Sequence, residues 1–169
     1  MKKLLINKTK NNITVILLEE NKIYGYLVLE KLIKYCKSEN KAYFISCAAA
    51  EKGYGPLLYD TAFYITYNKG LTSDPCIITK AAADIWNYYY TKRKKEFKII
   101  RNIKSEFINF YEKYSKYTDI SVTSVYLMKK KYIKIIEDRI KNILISDINE
   151  EEKNELINKG KLFFLDKLK

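Results

Sequence analysis

Over the first fifty residues the apolar positions fall in short runs of β-branched and aromatic side chains; further along they take up helical spacing. Residues 13–18 (ITVILL) and 23–29 (IYGYLVL) are separated by EENK, which predicts a hairpin. Residues 29–40 (LEKLIKYCKSEN) fit a short amphipathic helix as well as a strand and loop, and 42–47 (AYFISC) predict a third strand. Pro56 suits a first helical turn, because the N–H it lacks is unsatisfied there anyway. A helix over 56–67 follows, with Leu58, Ala62 and Ile65 on its inner face and Gly70 as its stop. Residues 71–78 (LTSDPCII) read as irregular, or as a short strand broken by Pro75. Thr79 is a good N-cap for a second helix over 80–96, whose Ala82, Ile85, Trp86 and Tyr89 form an apolar stripe.

Helical spacing continues over 97–114 at Ile100, Ile103, Phe107 and Phe110. In 120–131 (ISVTSVYLMKKK), Val122, Val125 and Met128 fit a helix, but the β-branched density and the alternation of Ile120, Val122, Ser124 and Tyr126 favour a strand. Residues 132–144 predict a helix, and so do 146–160, which open on acidic residues and close on Gly160. The closing FFLDKLK either folds back onto the body or binds a partner. With 169 residues, no internal repeat and no flexible linker, one hydrophobic core is expected.

Composition narrows the chemistry. No run of about 18 apolar residues is present to span a bilayer, and the apolar run in MKKLLINKTKNN is too short for a signal-peptide core. A cytoplasmic protein without membrane contact is expected. Cys36, Cys47 and Cys76 are widely spaced and there is no histidine, so no familiar zinc pattern can be completed and no metal is expected. The missing imidazole also excludes Ser-His-Asp and Cys-His pairs, leaving proton transfer to carboxylates, tyrosines, lysines or water. The net charge of +12 is uneven: residues 1–90 hold 12 basic and 8 acidic side chains, residues 91–169 hold 20 and 12. Such a field favours nucleic acid, a phosphorylated ligand or an acidic protein. A Lys-, Asn-, Ile- and Tyr-rich coding bias gives a merely solvated basic surface equal weight.

Residues 48–63 (AAAEKGYGPLLYDTAF) concentrate two of the five glycines and one of the two prolines. A strand, a glycine turn and a helix opening on proline aim several backbone N–H groups of 53–58 at one place, with the helix dipole behind them. Gly53 and Gly55 permit positive φ and close approach of an anion to the main chain. The same pattern also serves as a plain strand-to-helix turn. It lacks the third glycine of a dinucleotide fingerprint and the GK[ST] of a P-loop.

The run AYFISCAAAEKGYGPLLYD resembles the fourth strand, pyrophosphate loop and following helix of the GCN5-related N-acetyltransferase family of acyl-coenzyme A-dependent transferases. With GLTSDP and TKAAADIWNYY after it, the wording is most similar to a divergent branch found in bacteriophage genomes. The resemblance is specific over 42–90 and covers 1–131 in coarse order. It implies an α/β (α+β) fold with a central mixed sheet flanked by helices over 1–131. Residues 132–169, which it does not cover, are expected to form a basic helical C-terminal extension, although their 8 basic and 8 acidic side chains balance. The resemblance also implies acetyl-CoA as cofactor, with the Gly53, Tyr54, Gly55, Pro56 and Leu57 turn on the pyrophosphate and the strand around Ile45 and Cys47 along the pantetheine arm. Ala50 stands where the family has Arg or Gln, and Trp86 where it has the tyrosine that protonates the departing thiolate. Among the tyrosines at 88–90, Tyr89 is then taken as the acid after a shift in register, and Glu51, the carboxylate nearest the loop, as the base.

The activity this implies is transfer of an acetyl or acyl group to an amine on a small molecule or protein. The alternative is a catalytically degenerate protein of the same fold, in host cytoplasm or virion, that binds other virion proteins, a host factor or nucleic acid. Outside the resemblance, Cys47 reads as a small buried hydrophobe, Asp60 as a first-turn dipole partner, and Asp74 and Asp84 as caps of the second helix.

Overall fold

The structure is a computed structural model that describes residues 1–32, 42–74, 78–100 and 119–166. Strands β1 (Lys2–Lys8), β2 (Asn12–Glu19), β3 (Lys22–Lys31) and β4 (Tyr43–Ala50) pair antiparallel in sequence order. Helix α1 (Gly55–Ile65) then crosses to β5 (Leu71–Thr72), which runs parallel to β4. Helix α2 (Lys80–Lys92) leads to β6 (Phe97–Ile100), and β7 (Val125–Met128) lies antiparallel between β5 and β6. Helix α3 (Lys130–Ile140), strand β8 (Leu144–Asp147) and helix α4 (Glu150–Asp166) follow, and β8 pairs parallel to β1. Among the described residues the sheet has the order β6-β7-β5-β4-β3-β2-β1-β8. The expected α+β architecture, a mixed sheet flanked by helices, is present.

The β2–β3 hairpin turns on Glu20 and Asn21, both at positive φ (50° and 65°), the two-residue turn whose twist suits antiparallel strands. Thr79 caps α2 as expected, its side chain accepting the Ala82 N–H at 3.2 Å. A capping box opens α4: the Glu152 N–H donates to Asn149 Oδ1 at 2.8 Å, and the Asn149 N–H donates to Glu152 Oε2 at 3.0 Å.

Several expectations need correction. β1 lies outside the expected elements, because Leu4, Leu5 and Ile6 are buried in succession on a sheet covered on both faces, which erases the alternation. The helix expected over 97–114 gives way at its start to β6, where Phe97 faces Met128 and Ile100 faces Val125 across the ladder. Pairing with a distant strand overrides the local spacing there. The rest of that stretch lies outside the described residues, as do 33–40 of the ambiguous 29–40 segment, whose first three residues end β3. The second helix stops at Lys92 and a 3-10 turn, Lys94–Glu96, replaces its expected last turn. The helix expected over 132–144 ends at Ile140 and the next begins only at Glu150, because Leu144–Asp147 is drawn out as a mostly exposed strand along β1. The backbone of α4 runs on through Asp166, so the first part of FFLDKLK is helical.

Helices α1, α2 and α3 share one core with the sheet, whose centre is aromatic: Phe63, Trp86, Tyr89, Phe97 and Tyr126 are all nearly inaccessible. The opposite face packs Leu5, Ile16, Ile23 and Tyr26 against Ile148, just before α4, and Leu156 within it. Gly25 in β3 sets the seat of α1: a Cβ there would lie 2.7 Å from Leu58 Cδ1 and 2.8 Å from the Ala49 carbonyl oxygen. Among the described residues no helix is long and apolar enough to cross a membrane.

Candidate functional site

Strands β4 and β5 stay together for only two residue pairs, Tyr43 with Leu71 and Phe44 with Thr72. Beyond them the strands part. A bulge helps: against β3, Ile45 faces Leu29 and Cys47 faces Val28, which leaves Ser46 as an extra residue that bends β4. The parting opens a cleft of about 760 Å³, with Ile45–Ala50 along one wall, the start of α1 at one end, and Ala81, Ala82, Ile85 and Trp86 of α2 on the far side. Tyr59 and Leu58 of α1 and Ile78 make the remaining lining mostly apolar; Ser73, Asp74, Thr79 and Glu51 supply its polar atoms.

The turn into α1 is built to leave donors available. Glu51 N–H is used by the Tyr24 carbonyl at 2.8 Å and Tyr54 N–H by the Glu51 carbonyl at 3.1 Å. Among the described residues the N–H groups of Gly53, Gly55 and Leu57 find no acceptor. Tyr54 at the N-cap provides no side-chain cap, and the first turn of α1 carries no acidic residue. Gly53 sits at φ +93°, a conformation that favours glycine, and a Cβ on either Gly53 or Gly55 would meet nothing within 4 Å. Uncapped donors, a helix N-terminus and open space above them fit an anionic group such as a pyrophosphate.

The structure brings Ile45, Cys47, Glu51, Gly53, Gly55 and Pro56 together around the cleft. It turns others away. The Tyr54 ring leans on Tyr24, ring centres 4.5 Å apart, and Leu57 packs against the main core, so each can offer only its backbone. Cys47 is half-buried, and its Sγ donates to the Tyr26 hydroxyl at 3.7 Å; burial and this neighbour push the Tyr26 phenol up to about 12. Glu51 stands at the loop entrance in an ion pair with Lys22 at 3.2 Å.

Tyr89 is not brought to the cleft. It is 1% exposed, and its hydroxyl donates to Asp60 at 3.2 Å inside the core. Burial first, and then the Asp60 carboxylate, hold its phenol well above the ordinary tyrosine range. Trp86 occupies the cleft wall itself, packed on the Tyr126 ring at 5.1 Å. Asp60 does not serve the α1 N-terminus as expected, because it is buried and faces inward. Arg93 Nη1 at the end of α2 and Arg139 Nη1 of α3 each reach one of its oxygens at 2.5 Å. Arg93 in turn grips Glu96 through Nε at 3.0 Å and Nη2 at 2.6 Å, so one carboxylate ties three helices together. Asp84 pairs with Lys80 on the surface, whereas Asp74 lines the cleft. Among the described residues no group of three or more Asp, Glu or Cys side chains is placed to hold a metal ion.

No protein-family model matches this sequence, and no curated protein matches it. Among solved structures the chain is similar to a CoA-dependent acyl-homoserine lactone synthase, BjaI, in the form with SAM and isopentyl-CoA. The identity is 7% and the TM-score 0.43, over 84% of this chain and 71% of that one. The form of the same synthase with MTA gives 7% and 0.44 over the same shares.

Asp74, expected as a cap of the second helix, lines the cleft instead. Asp74 follows β5 where β4 and β5 diverge, and nothing in LTSDPCII signals that divergence. Gly25 had a legible signal, a lone glycine inside an otherwise apolar strand, which marks close approach of another backbone.

Proposed function

We propose that the chain is an acyl-CoA-dependent N-acyltransferase, with the cleft between β4 and β5 as its acyl-CoA site. The observation that carries this reading is the conjunction of two features at one place. The sheet opens after two residue pairs, and the opening ends at unused Gly53, Gly55 and Leu57 amides on the α1 N-terminus. The turn holds the pyrophosphate, and the parted edge of β4 from Ile45 to Ala50 lies along the pantetheine arm. Bound acyl-CoA supplies an activated thioester. The protein's part is to hold that thioester in an apolar slot beside an amine, so that proximity and backbone dipoles do most of the work. Among the described residues Glu51 and Asp74 are the carboxylates on the cleft wall, and they take the amine proton directly or through water. Among the described residues the tyrosine that lines the cleft is Tyr59, whose phenol burial pushes up to about 12, so protonation of the leaving thiolate falls to solvent.

Thermal melting with acetyl-CoA tests the reading. Ligand at about 100 times its dissociation constant adds about 2.7 kcal/mol of stability, a rise of roughly 5–11 °C for a chain of this size. Gly55→Val sets a branched side chain over the free amides where nothing now lies within 4 Å. It is expected to melt within a few degrees of the parent but to lose the acetyl-CoA shift. An unshifted parent at millimolar acetyl-CoA sinks the proposal.

A further inference from the structure

The fold gathers lysines that the sequence keeps more than thirty residues apart. Phe97 pairs with Met128, the Lys129 N–H donates to the Glu96 carbonyl at 2.9 Å, and Lys129 Nζ reaches the Lys95 carbonyl at 2.9 Å. Segments 91–98 (TKRKKEFK) and 129–134 (KKKYIK) therefore meet at the amino ends of β5 and β6, the end of the sheet opposite the cleft. Glu96 is the sole acidic residue of the two segments, and the buried Arg93 has already claimed it. Lys92, Lys94, Lys95, Lys129, Lys130 and Lys131 are exposed, and none makes an ion pair among the described residues. Tyrosines interleave them: Lys94 lies over the Tyr90 ring at 4.9 Å and Lys131 over the Tyr132 ring at 5.0 Å. Tyr88, one helical turn before Lys92, is 49% exposed.

We infer that this end of the molecule binds single-stranded nucleic acid, the lysines neutralising successive phosphates and Tyr88 stacking on a base. A row of unpaired lysines suits a repeating phosphodiester, and an exposed ring beside it suits an unpaired base. The site is separate from the proposed acyl-CoA cleft and does not depend on that reading.

Fluorescence anisotropy with a labelled single-stranded oligonucleotide of mixed sequence, on the full chain, tests it. Binding is expected at 50 mM salt, with a log–log salt slope of roughly −4 if about six phosphates are neutralised on a single strand. Replacing Lys92, Lys94, Lys95 and Lys130 by Gln together is expected to abolish binding. The same change at Lys8, Lys10, Lys141 and Lys159, which removes equal charge elsewhere, is expected to leave most of it. Tyr88→Ala is expected to weaken the single strand about fivefold or more and to leave a duplex of the same sequence unaffected. Melting of the lysine variant with acetyl-CoA separates the two sites, since any shift seen for the parent is expected to persist. Three results each overturn the inference: no binding at 50 mM salt, equal loss in both lysine variants, or displacement by polyglutamate as effective as by unlabelled oligonucleotide. The last points to an acidic protein partner instead. An unchanged affinity on Tyr88→Ala overturns the single-strand assignment.

Discussion

Asp60 shows how much one buried side chain can carry. Its carboxylate is 4% exposed and lies between Arg93, 9% exposed, and Arg139, 49% exposed. Removing one member of a buried ion pair strands the other, at about 3–5 kcal/mol. Asp60→Ala is therefore expected to lower the urea-unfolding free energy by that amount. Arg139→Ala, whose partner keeps Arg93 and whose own charge is half in water, is expected to cost about 1 kcal/mol or less. Equal effects for the two variants contradict this ranking. The network also accounts for Tyr89: its hydroxyl completes the hydrogen bonding of Asp60, a stability role within the core. Sequence spacing put Tyr89 and Trp86 on one stripe, which is right, but one residue of a helical stripe can line a cleft while its neighbour is sealed behind it.

The elements differ in how plainly the sequence announced them. The β2–β3 hairpin, β4, the glycine turn, α1 and the start of α2 were legible because turn residues, proline and a capping threonine act locally. β1, β6 and β8 were not, since each is a strand only by virtue of its neighbour: β1 is buried on both faces, β6 takes its register from β7, and β8 leans on β1 with most of its side chains exposed. The candidate site divides in the same way. The amide-rich end could be read from GYG and Pro56, whereas the opening of β4 from β5 follows from a two-residue β5 and a bulge at Ser46 that pairing alone reveals. Gly25 links sheet and site, because α1 rests against it. Gly25→Ala drives a Cβ to 2.8 Å from the Ala49 carbonyl oxygen, a backbone atom that cannot step aside. A loss of about 1–3 kcal/mol by urea unfolding is expected, with a reduced response to acetyl-CoA because the turn before α1 moves with the helix. A variant that melts and responds like the parent refutes this coupling.

At the scale of the whole molecule, tyrosine sets the alkaline limit. Burial pushes the phenols of Tyr26 and Tyr59 up to about 12 and raises those of Tyr89 and Tyr126 as well. In the unfolded chain these groups titrate near 10, so between about pH 10 and 12 the unfolded chain releases protons that the native protein keeps. Their contribution is complete below pH 10 and is lost as the pH rises through 12. The share of the tyrosinate absorbance that comes from these buried phenols and the far-ultraviolet circular dichroism should therefore change together in one cooperative step in that window. Gradual ionisation of the buried tyrosines with the circular dichroism unchanged excludes this account. The parallel pairing of β8 with β1 has its own consequence during synthesis. Lys3–Ile6 are made well before Leu144–Asp147, the segment that covers their outer edge among the described residues. Until that segment is made, β1 presents an open, hydrophobic strand edge, on which another unfinished chain can add a strand.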